Sequence, residues 1–267
     1  MAARREGQPM DRPEPGCVLR SGWCGTVLVL ILFTALAGCM SAGNTSPVPP
    51  GSGTADTGQP AQLLYQNVVS TDRAGTNGTT EDLRAAVLRD AMDSDDPVTR
   101  DFTVSLIAKD HGGRFRMSQI CDLWDAVYSR WTYVEDPGGG DYFSPASRTI
   151  ALDLKGDCDD FAILIAAMIG SVGGDARVVV AQNGTAGHVY PEVFVGTTVE
   201  EFGRAAAYIR GRYHVTEIGC HVTRDAGGTR YWLNLDWWSS HPGGRFFADD
   251  GTRIAYYPDG RWERVVS

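Results

Sequence analysis

The sequence predicts an α+β domain in which helices come first and strands follow. Helical patterns extend from about residue 80 to residue 131, and strand patterns dominate after residue 176. Between them, a helix that starts at Cys158 is apolar on nearly every side, as is typical of a buried helix. We therefore expect this helix to pack on an antiparallel sheet, with the other helices preceding it.

The helices before Cys158 are predicted from start signals and apolar spacing. A first helical region begins at Thr80 and reaches about Ala108, with a break before Pro97. The next helix is amphipathic, and most of its apolar side chains form a core stripe. The residues that recur at helical spacing are Ile120, Leu123, Trp124, Val127, Tyr128 and Trp131.

Cys158 stands at the first turn of the apolar helix. Asp157 is a good N-cap, because its side chain can accept a hydrogen bond from an orphan backbone N–H. The positive end of the helix dipole then lies beside the sulfur and favours the thiolate. Asp159 and Asp160 oppose this effect, since nearby negative charge raises a thiol pKa. Cys158 therefore requires a strong base partner to become reactive.

The strands follow this helix. Residues 176–180 read as a buried strand, and residues 187–195 as a strand with alternating faces. Pro191 within the second strand indicates an edge position or a local bulge. A third strand is predicted at residues 231–237. A helix is predicted as an insertion between the second and third strands, from Val199 to Arg212, and residues 245–265 read as a final hairpin or meander.

Two of these strands carry polar side chains that suit catalysis. His188 lies on the polar or aromatic face of its strand, and Asp236 lies in strongly apolar company, where a carboxylate needs a hydrogen-bond partner. In chain order, Cys158, His188 and Asp236 supply a nucleophile, a general base and a group that orients the base.

Three short motifs in this order resemble the transglutaminase-like superfamily, a circularly rearranged relative of the papain-type cysteine peptidases. The motifs are a helix-initial Gly-x-Cys at 156–158, a His-apolar-aromatic-x-Glu-Val run at 188–193, and an Asp ending an aromatic-rich strand at 232–236. The resemblance covers roughly residues 119–238. It implies a papain-like or transglutaminase-like core with Cys158, His188 and Asp236 as catalytic residues. It also implies an upstream aromatic oxyanion donor, for which Trp131 and Tyr133 are both candidates.

Each catalytic candidate also has a structural interpretation. Cys158 would otherwise be a small buried hydrophobe, and His188 a satisfied structural residue. Asp236 would otherwise cap the turn that follows it. Asn234 lies on the same face two residues earlier and is an alternative partner for the imidazole. The resemblance favours Cys158, His188 and Asp236.

We predict no metal and no cofactor. His214, Cys220 and His221 are close in sequence, but they lack a second pair of ligands at zinc spacing. The acidic pair at 249–250 is too short for a calcium loop. Cys121 and Cys220 are left either as a disulfide or as two separately buried thiols.

The N-terminal residues predict location. Residues 1–38 resemble a signal peptide that ends in a prokaryotic lipobox. We therefore expect Cys39 to carry a lipid, and we expect this lipid to attach the protein to the membrane. An uncleaved membrane anchor is the alternative. Residues 39–60 are rich in Gly, Ser, Thr and Pro and form a predicted flexible tether. The predicted transglutaminase-like domain occupies 61–267, with a helical part at 61–115 and a catalytic core at 116–267.

The predicted function is that of a thiol enzyme on the cell surface that acts on peptide or side-chain amide bonds of a polypeptide substrate, more often by hydrolysis than by transfer. The alternatives are an amine-transferring cross-linker and a non-catalytic polypeptide-binding module. The net charge is −9 and no basic stripe is present, which argues against a nucleic-acid partner. The sequence leaves the oligomeric state open.

Overall fold

The structure is a computed structural model that describes residues 17–18, 79–136, 142–184, 186–225 and 227–265. The lipobox, Cys39 and the predicted tether lie outside these residues, so the predicted division of the chain at 38 and 60 stays a prediction. Among the described residues, no helix has the length and apolar character needed to cross a membrane.

Six α-helices are found in the described part of the chain. They are α1 Thr80–Ala91, α2 Pro97–Leu106, α3 Met117–Tyr128, α4 Ala146–Ala151, α5 Cys158–Ser171 and α6 Val199–Tyr213. The predicted break between α1 and α2 is confirmed, because Asp96 caps α2 and Pro97 occupies its first turn. The predicted inserted helix is also confirmed as α6.

Nine strands accompany the helices in the described residues. They are β1 Cys17–Val18, β2 Thr132–Tyr133, β3 Lys155–Gly156, β4 Ala176–Asn183, β5 Ala186–Gly196, β6 Gly219–Asp225, β7 Gly228–Asn234, β8 Thr252–Tyr256 and β9 Trp262–Arg264. Seven of them form one antiparallel sheet in the order β1-β6-β7-β5-β4-β8-β9, and β2 pairs with β3 in parallel. The β8–β9 pair is the predicted final hairpin.

The buried helix α5 lies against β4 and β5. Its residues Phe161 to Ile169 are all buried, as expected for a helix that is apolar on every side. On β5, Val189 and Val193 pack into the cluster that contains α5, whereas Tyr190 and Phe194 pack on the opposite face. The alternation predicted for this strand is confirmed, and so is the α+β fold class.

The backbone of β1 pairs with Gly219 and Cys220 of β6 at one edge of the sheet. Both β1 residues precede the predicted cleavage site after Gly38. Cleavage there would remove β1 and leave β6 as the edge strand of the mature protein.

A buried charge network occupies the sheet face opposite α5. Arg177 on β4 and its cross-strand neighbour Glu192 on β5 are fully buried, and Arg177 Nε donates to Glu192 at 2.7 Å. Arg177 also lies 4.0 Å from the ring centroid of Trp232. His221 bonds to Glu192 through Nδ1 and to Arg253 through Nε2. Both ring nitrogens of His221 are therefore used by this network.

The two other cysteines of the described residues are not joined to each other. Cys121 on α3 and Cys220 on β6 are each buried, and no disulfide joins them. Of the two alternatives left by the sequence, a disulfide or two separately buried thiols, the structure has the second.

Candidate active site

The site begins at the start of α5, where the sequence places three carboxylates around Cys158. The side chain of Asp157 caps the helix by accepting the N–H of Asp159 at 3.3 Å. In return, the side chain of Asp160 accepts the N–H of Asp157. A Cβ on Gly156 would lie 2.1 Å from Asp160 Oδ2. The glycine of the Gly-x-Cys motif therefore makes room for the capping carboxylate.

Cys158 lies where the sheet opens beside β5. The last paired residues of β5 and β7 are Glu192 and Asn234, and one further bond joins Leu235 N–H to the carbonyl of Pro191. Backbone groups of residues two apart in a strand point the same way, so the N–H of Val189 faces the side from which β7 has departed. The sulfur of Cys158 accepts that N–H.

The end of the β5–β7 pairing explains why a proline is tolerated at position 191. It lacks an N–H, and its nitrogen faces the side on which the β5–β7 ladder ends. The proline therefore costs the sheet no hydrogen bond at this position. The sequence predicted an edge position or a local bulge at Pro191. Strand β5 is not an edge strand, since it lies between β7 and β4, but β7 has departed at Pro191 and leaves that side of β5 unpaired.

His188 and Asp236 are brought together directly. His188 Nε2 lies 2.7 Å from Asp236 Oδ2, and both side chains are buried, at 6% and 1% exposure. Aromatic rings surround the imidazole, with Trp238 edge-on and Phe247 tilted, each at 5.3 Å between centroids. Nε2 is thus used by the carboxylate, which leaves Nδ1 for the thiol.

Cys158 is adjacent to this pair without yet being bonded to it. Its sulfur accepts the N–H of Val189, the residue after His188, but no hydrogen bond joins the thiol to the imidazole among the described residues. Catalytic hydrogen bonds are often long before substrate binds and tighten in the complex. The structure therefore pairs His188 with Asp236 and places Cys158 against the residue after His188, and the catalytic roles of the three residues stay a prediction.

The sequence offered two interpretations of Asp236, as the partner of His188 and as the cap of the turn that follows, and the structure has both contacts. Strand β7 ends at Asn234, so Asp236 lies just beyond it and caps a short 3-10 helix by accepting the N–H of Trp238 at 3.1 Å. Its other oxygen faces His188. The predicted strand ran to residue 237, and the structure shortens it because this cap turns the chain.

Asn234, the alternative partner, has a different role. It is fully buried, and its Oδ1 accepts the N–H of Asp236 at 3.0 Å. Its Nδ2 donates to the carbonyls of Gly244 and Arg245. Asn234 therefore positions Asp236 and the following loop, and does not contact His188.

The electrostatics of Cys158 oppose ionisation. Burial raises the pKa of its thiol to about 12, and the charges of Asp159 and Asp157 add to the increase, against the N–H of Val189. Burial also raises the pKa of Asp160 to about 7 and raises the pKa of Asp159 well above its usual value, with Asp157 contributing to both. Cys158 is thus a thiol at rest, and the helix start alone does not make it a thiolate.

Asp157, Asp159 and Asp160 also have oxygens within 4.8 Å of one another, the spacing of metal ligands. Most of these oxygens already accept backbone N–H groups, which stabilise the cap. The raised pKa values of Asp159 and Asp160 indicate that protons are shared in this cluster. The absence of a metal from the mechanism stays a prediction.

Two aromatic residues precede the site, and the structure separates them. Strand β2 sets Tyr133 beside Gly156 of β3, close enough to Cys158 for the two to interact electrostatically. Burial raises the pKa of the Tyr133 hydroxyl, and the thiolate charge adds to it. Trp131 packs edge-on against Phe161 at 5.1 Å, and its buried Nε1 has no hydrogen-bond partner among the described residues. Tyr133 is 46% exposed and is therefore the donor that a substrate can reach.

The segment before α4 packs against the start of α5. Phe143 and Ser144 are buried, and the N–H of Ser144 donates to Asp160 at 3.2 Å. Residues 137–141 lie outside the described part of the chain. The described end of this loop therefore packs beside the start of α5.

Comparison with known proteins shows which family part of the chain resembles. Residues 105–213 match the family model of the Transglutaminase-like superfamily, a segment that includes Cys158 and His188 and ends before Asp236. The resemblance found in the motifs is thereby confirmed, and it supports a cysteine enzyme of this class.

A solved structure of a proposed cysteine protease from Cytophaga hutchinsonii is also similar, at 19% identity and a TM-score of 0.33. The match covers 48% of this chain and 41% of that one, so the chain spans well under half of that protein. No curated protein matches the chain.

Proposed function

We propose that the protein is a thiol hydrolase that cleaves peptide or side-chain amide bonds through Cys158, His188 and Asp236. The observation that carries the proposal is the buried His188–Asp236 pair beside a cysteine at a helix start. A buried imidazole with one nitrogen fixed by a carboxylate is oriented to accept a proton on the other.

The proposed reaction begins with proton transfer. His188 Nδ1 takes the proton from Cys158 Sγ as the sulfur attacks the amide carbonyl, because burial and the neighbouring carboxylates raise the pKa of the thiol and favour its neutral form. Asp236 holds the imidazole through Nε2 and stabilises the imidazolium that forms. His188 then gives the proton to the leaving amine, and a thioester to Cys158 remains.

The negative oxygen of the intermediate needs donors. The backbone N–H of Cys158 lies at the start of α5, where it has no partner within the helix. The hydroxyl of Tyr133 is the second candidate donor, for the reasons of exposure and proximity given above. In the second half of the reaction, water activated by His188 cleaves the thioester and restores the thiol.

Location is part of the same proposal. A lipid on Cys39 would attach the enzyme to the outer side of a membrane, with the predicted tether as a spacer. The substrate would then be a polypeptide of the cell surface or its surroundings.

A test that needs no known substrate is covalent labelling with a peptidyl chloromethyl ketone, followed by mass spectrometry of the modified peptide. We expect labelling at Cys158 that drops strongly in His188→Ala, with Cys121 and Cys220 unmodified because they are buried. Labelling of Cys158 at the same rate without His188 would instead favour the non-catalytic binding module.

A further inference from the structure

A cavity of about 620 Å³ opens beside the His188–Asp236 pair. Its size is that of a small-ligand site. Asp236, Trp238 and Phe247 line it, and the latter two rings also contact the imidazole of His188. Phe246 completes an aromatic wall and stacks on His221 at 3.8 Å between centroids. The cavity is therefore mainly apolar and begins where the catalytic base lies.

This position assigns the cavity to one side of the scissile bond. In the proposed reaction His188 gives its proton to the leaving amine, so the leaving group must lie beside the imidazole. Neither His188 nor Cys158 lines the cavity, but three of its lining residues, Asp236, Trp238 and Phe247, contact the imidazole of His188. The cavity therefore lies on the His188 side of the site, and in the proposed reaction a group bound there belongs to the amine that departs.

Arg245 supplies the charge of this cavity. It lines the cavity and is exposed, and its guanidinium has no ion-pair or hydrogen-bond partner among the described residues. Its backbone is fixed, because the carbonyl accepts Asn234 Nδ2 and Ser239 Oγ, each at 2.8 Å. Asn234 also holds the N–H of Asp236. One side chain therefore fixes both the catalytic carboxylate and the residue that carries the free cation.

Resting on the hydrolase function proposed above, we propose that this cavity binds the leaving part of a peptide that carries a carboxylate next to an apolar or aromatic group. The rings of Trp238, Phe246 and Phe247 take the apolar portion, and Arg245 binds the carboxylate. The carboxylate is either the free C-terminus of the released residue or an acidic side chain. Arg245 is thus a specificity-determining residue for substrates with a negative charge after the scissile bond.

The test measures binding without chemistry, by calorimetry on the Cys158→Ala variant. Three probes are compared: N-acetyl-Gly-Gly-Phe as the free acid, the same peptide as its C-terminal amide, and N-acetyl-Gly-Gly-Glu as its amide. We expect the free acid to bind about tenfold more tightly than the Phe amide, because one charge-assisted hydrogen bond at a partly exposed site strengthens binding by about this factor. Adding Arg245→Gln should remove this difference and leave binding of the Phe amide unchanged. Arg245→Lys should retain part of it.

The matched control is Arg100→Gln, an exposed arginine on α2 that is not among the cavity residues. It should leave all three affinities unchanged. Tighter binding of the Glu amide than of the Phe amide, also lost in Arg245→Gln, would support the proposal with an acidic side chain as the source. Equal binding of acid and amides, absence of binding, or a preference that survives Arg245→Gln would overturn it. Failure of Cys158 to react in the labelling test leaves these affinities unaffected, so the two proposals fail separately.

Discussion

At Cys158, opposing influences meet on one sulfur. The N–H of Val189 and the start of α5 favour the thiolate, whereas burial and the carboxylates of Asp159 and Asp157 favour the thiol. The net direction is a raised pKa, to about 12. In the proposed reaction, reactivity at neutral pH therefore comes from transfer of the proton to His188 during attack.

The first prediction concerns this balance. Asp159→Asn should lower the pKa of the Cys158 thiol, because after burial the charge of Asp159 is the largest cause that raises it. The rate of iodoacetamide labelling, followed against pH, should reach its midpoint about one pH unit lower than in the parent protein. Asp153→Asn, which changes an exposed carboxylate, is the control. An unchanged midpoint in Asp159→Asn would mean that burial alone raises the pKa.

The second prediction separates the catalytic carboxylate from its neighbour. Cys158→Ala and His188→Ala should each lower kcat/KM by at least about 10³-fold, since the residues act as a unit. Asp236→Asn should cost less than either, because an amide oxygen can still accept the N–H of His188 Nε2 and the nucleophile and base both remain.

Asn234→Ala is the contrast to Asp236→Asn. It should lower the free energy of unfolding by about 1–3 kcal/mol, because it leaves a buried N–H and carbonyls without partners. Its folded fraction should keep more activity than Asp236→Ala. Full activity of Asp236→Ala together with inactivity of folded Asn234→Ala would contradict the assignment of the third residue.

The three proposed catalytic residues could be named from the sequence, because each stands in a short motif. The roles of Val189 and Asn234 could not. Alternation tells which face of a strand a residue occupies, but not where the neighbouring strand ends. That end decides that the N–H of Val189 faces Cys158 and that Asn234 faces the loop at 244–245.

At the scale of elements, β4 and β5 hold a charge network that the sequence did not predict. Glu192 belongs to the His-x-x-x-Glu motif, yet its partners lie on two other strands, Arg177 on β4 and His221 on β6. Their pairing depends on sheet register, which a single sequence does not fix. The network fastens the sheet on the face opposite α5 and so keeps β5 and His188 in place.

The third prediction follows from Glu192. Burial acts to raise the pKa of this carboxyl, but Arg177 and His221 outweigh burial and lower it to about 2, from an ordinary 4.5. A lowered pKa in the folded state contributes stability above pH 4.5, and this contribution is lost as the pH falls toward 2. Glu192→Gln should therefore destabilise the protein by on the order of 3 kcal/mol at pH 7, since it leaves a buried arginine undercompensated.

Urea unfolding of the parent and of Glu192→Gln at pH 7 and at pH 3.5 measures this effect. The difference between the two proteins should shrink at the lower pH, where the carboxyl begins to protonate in the unfolded chain. Glu135→Gln, which changes an exposed carboxylate, should show no such difference at either pH. A difference for Glu192→Gln that is independent of pH would point to packing instead of charge.

For the whole molecule, the fold class followed from the order of its elements, and the extent of α5 from its composition. The fourth prediction concerns attachment, which rests on the sequence alone. Cys39→Ser should release the protein from the membrane fraction or leave it unprocessed, because the acyl chains have no sulfur to join. Mass spectrometry of the mature N-terminus is the measurement. A mature protein that retains residues before Cys39 would exclude cleavage after Gly38.

The fifth prediction concerns the fate of the thioester. Transfer to an amine requires a site that excludes water, because water is present in great excess. The described site instead has an exposed Tyr133, at 46%, and an exposed Trp238, at 65%, on two sides of the catalytic residues. The cavity beside His188 lies on the path of the leaving amine, so it opens to water once that amine departs.

We therefore expect hydrolysis to exceed transfer. The measurement is incubation of the enzyme with a glutamine-containing peptide and a labelled primary amine at millimolar concentration, with both products quantified. Free acid should dominate, and Cys158→Ala should abolish both products. Efficient incorporation of the amine with little free acid would show that the thioester is protected from water. The exposed rims of the site would then have to close over the bound substrate, and the protein would be a cross-linker.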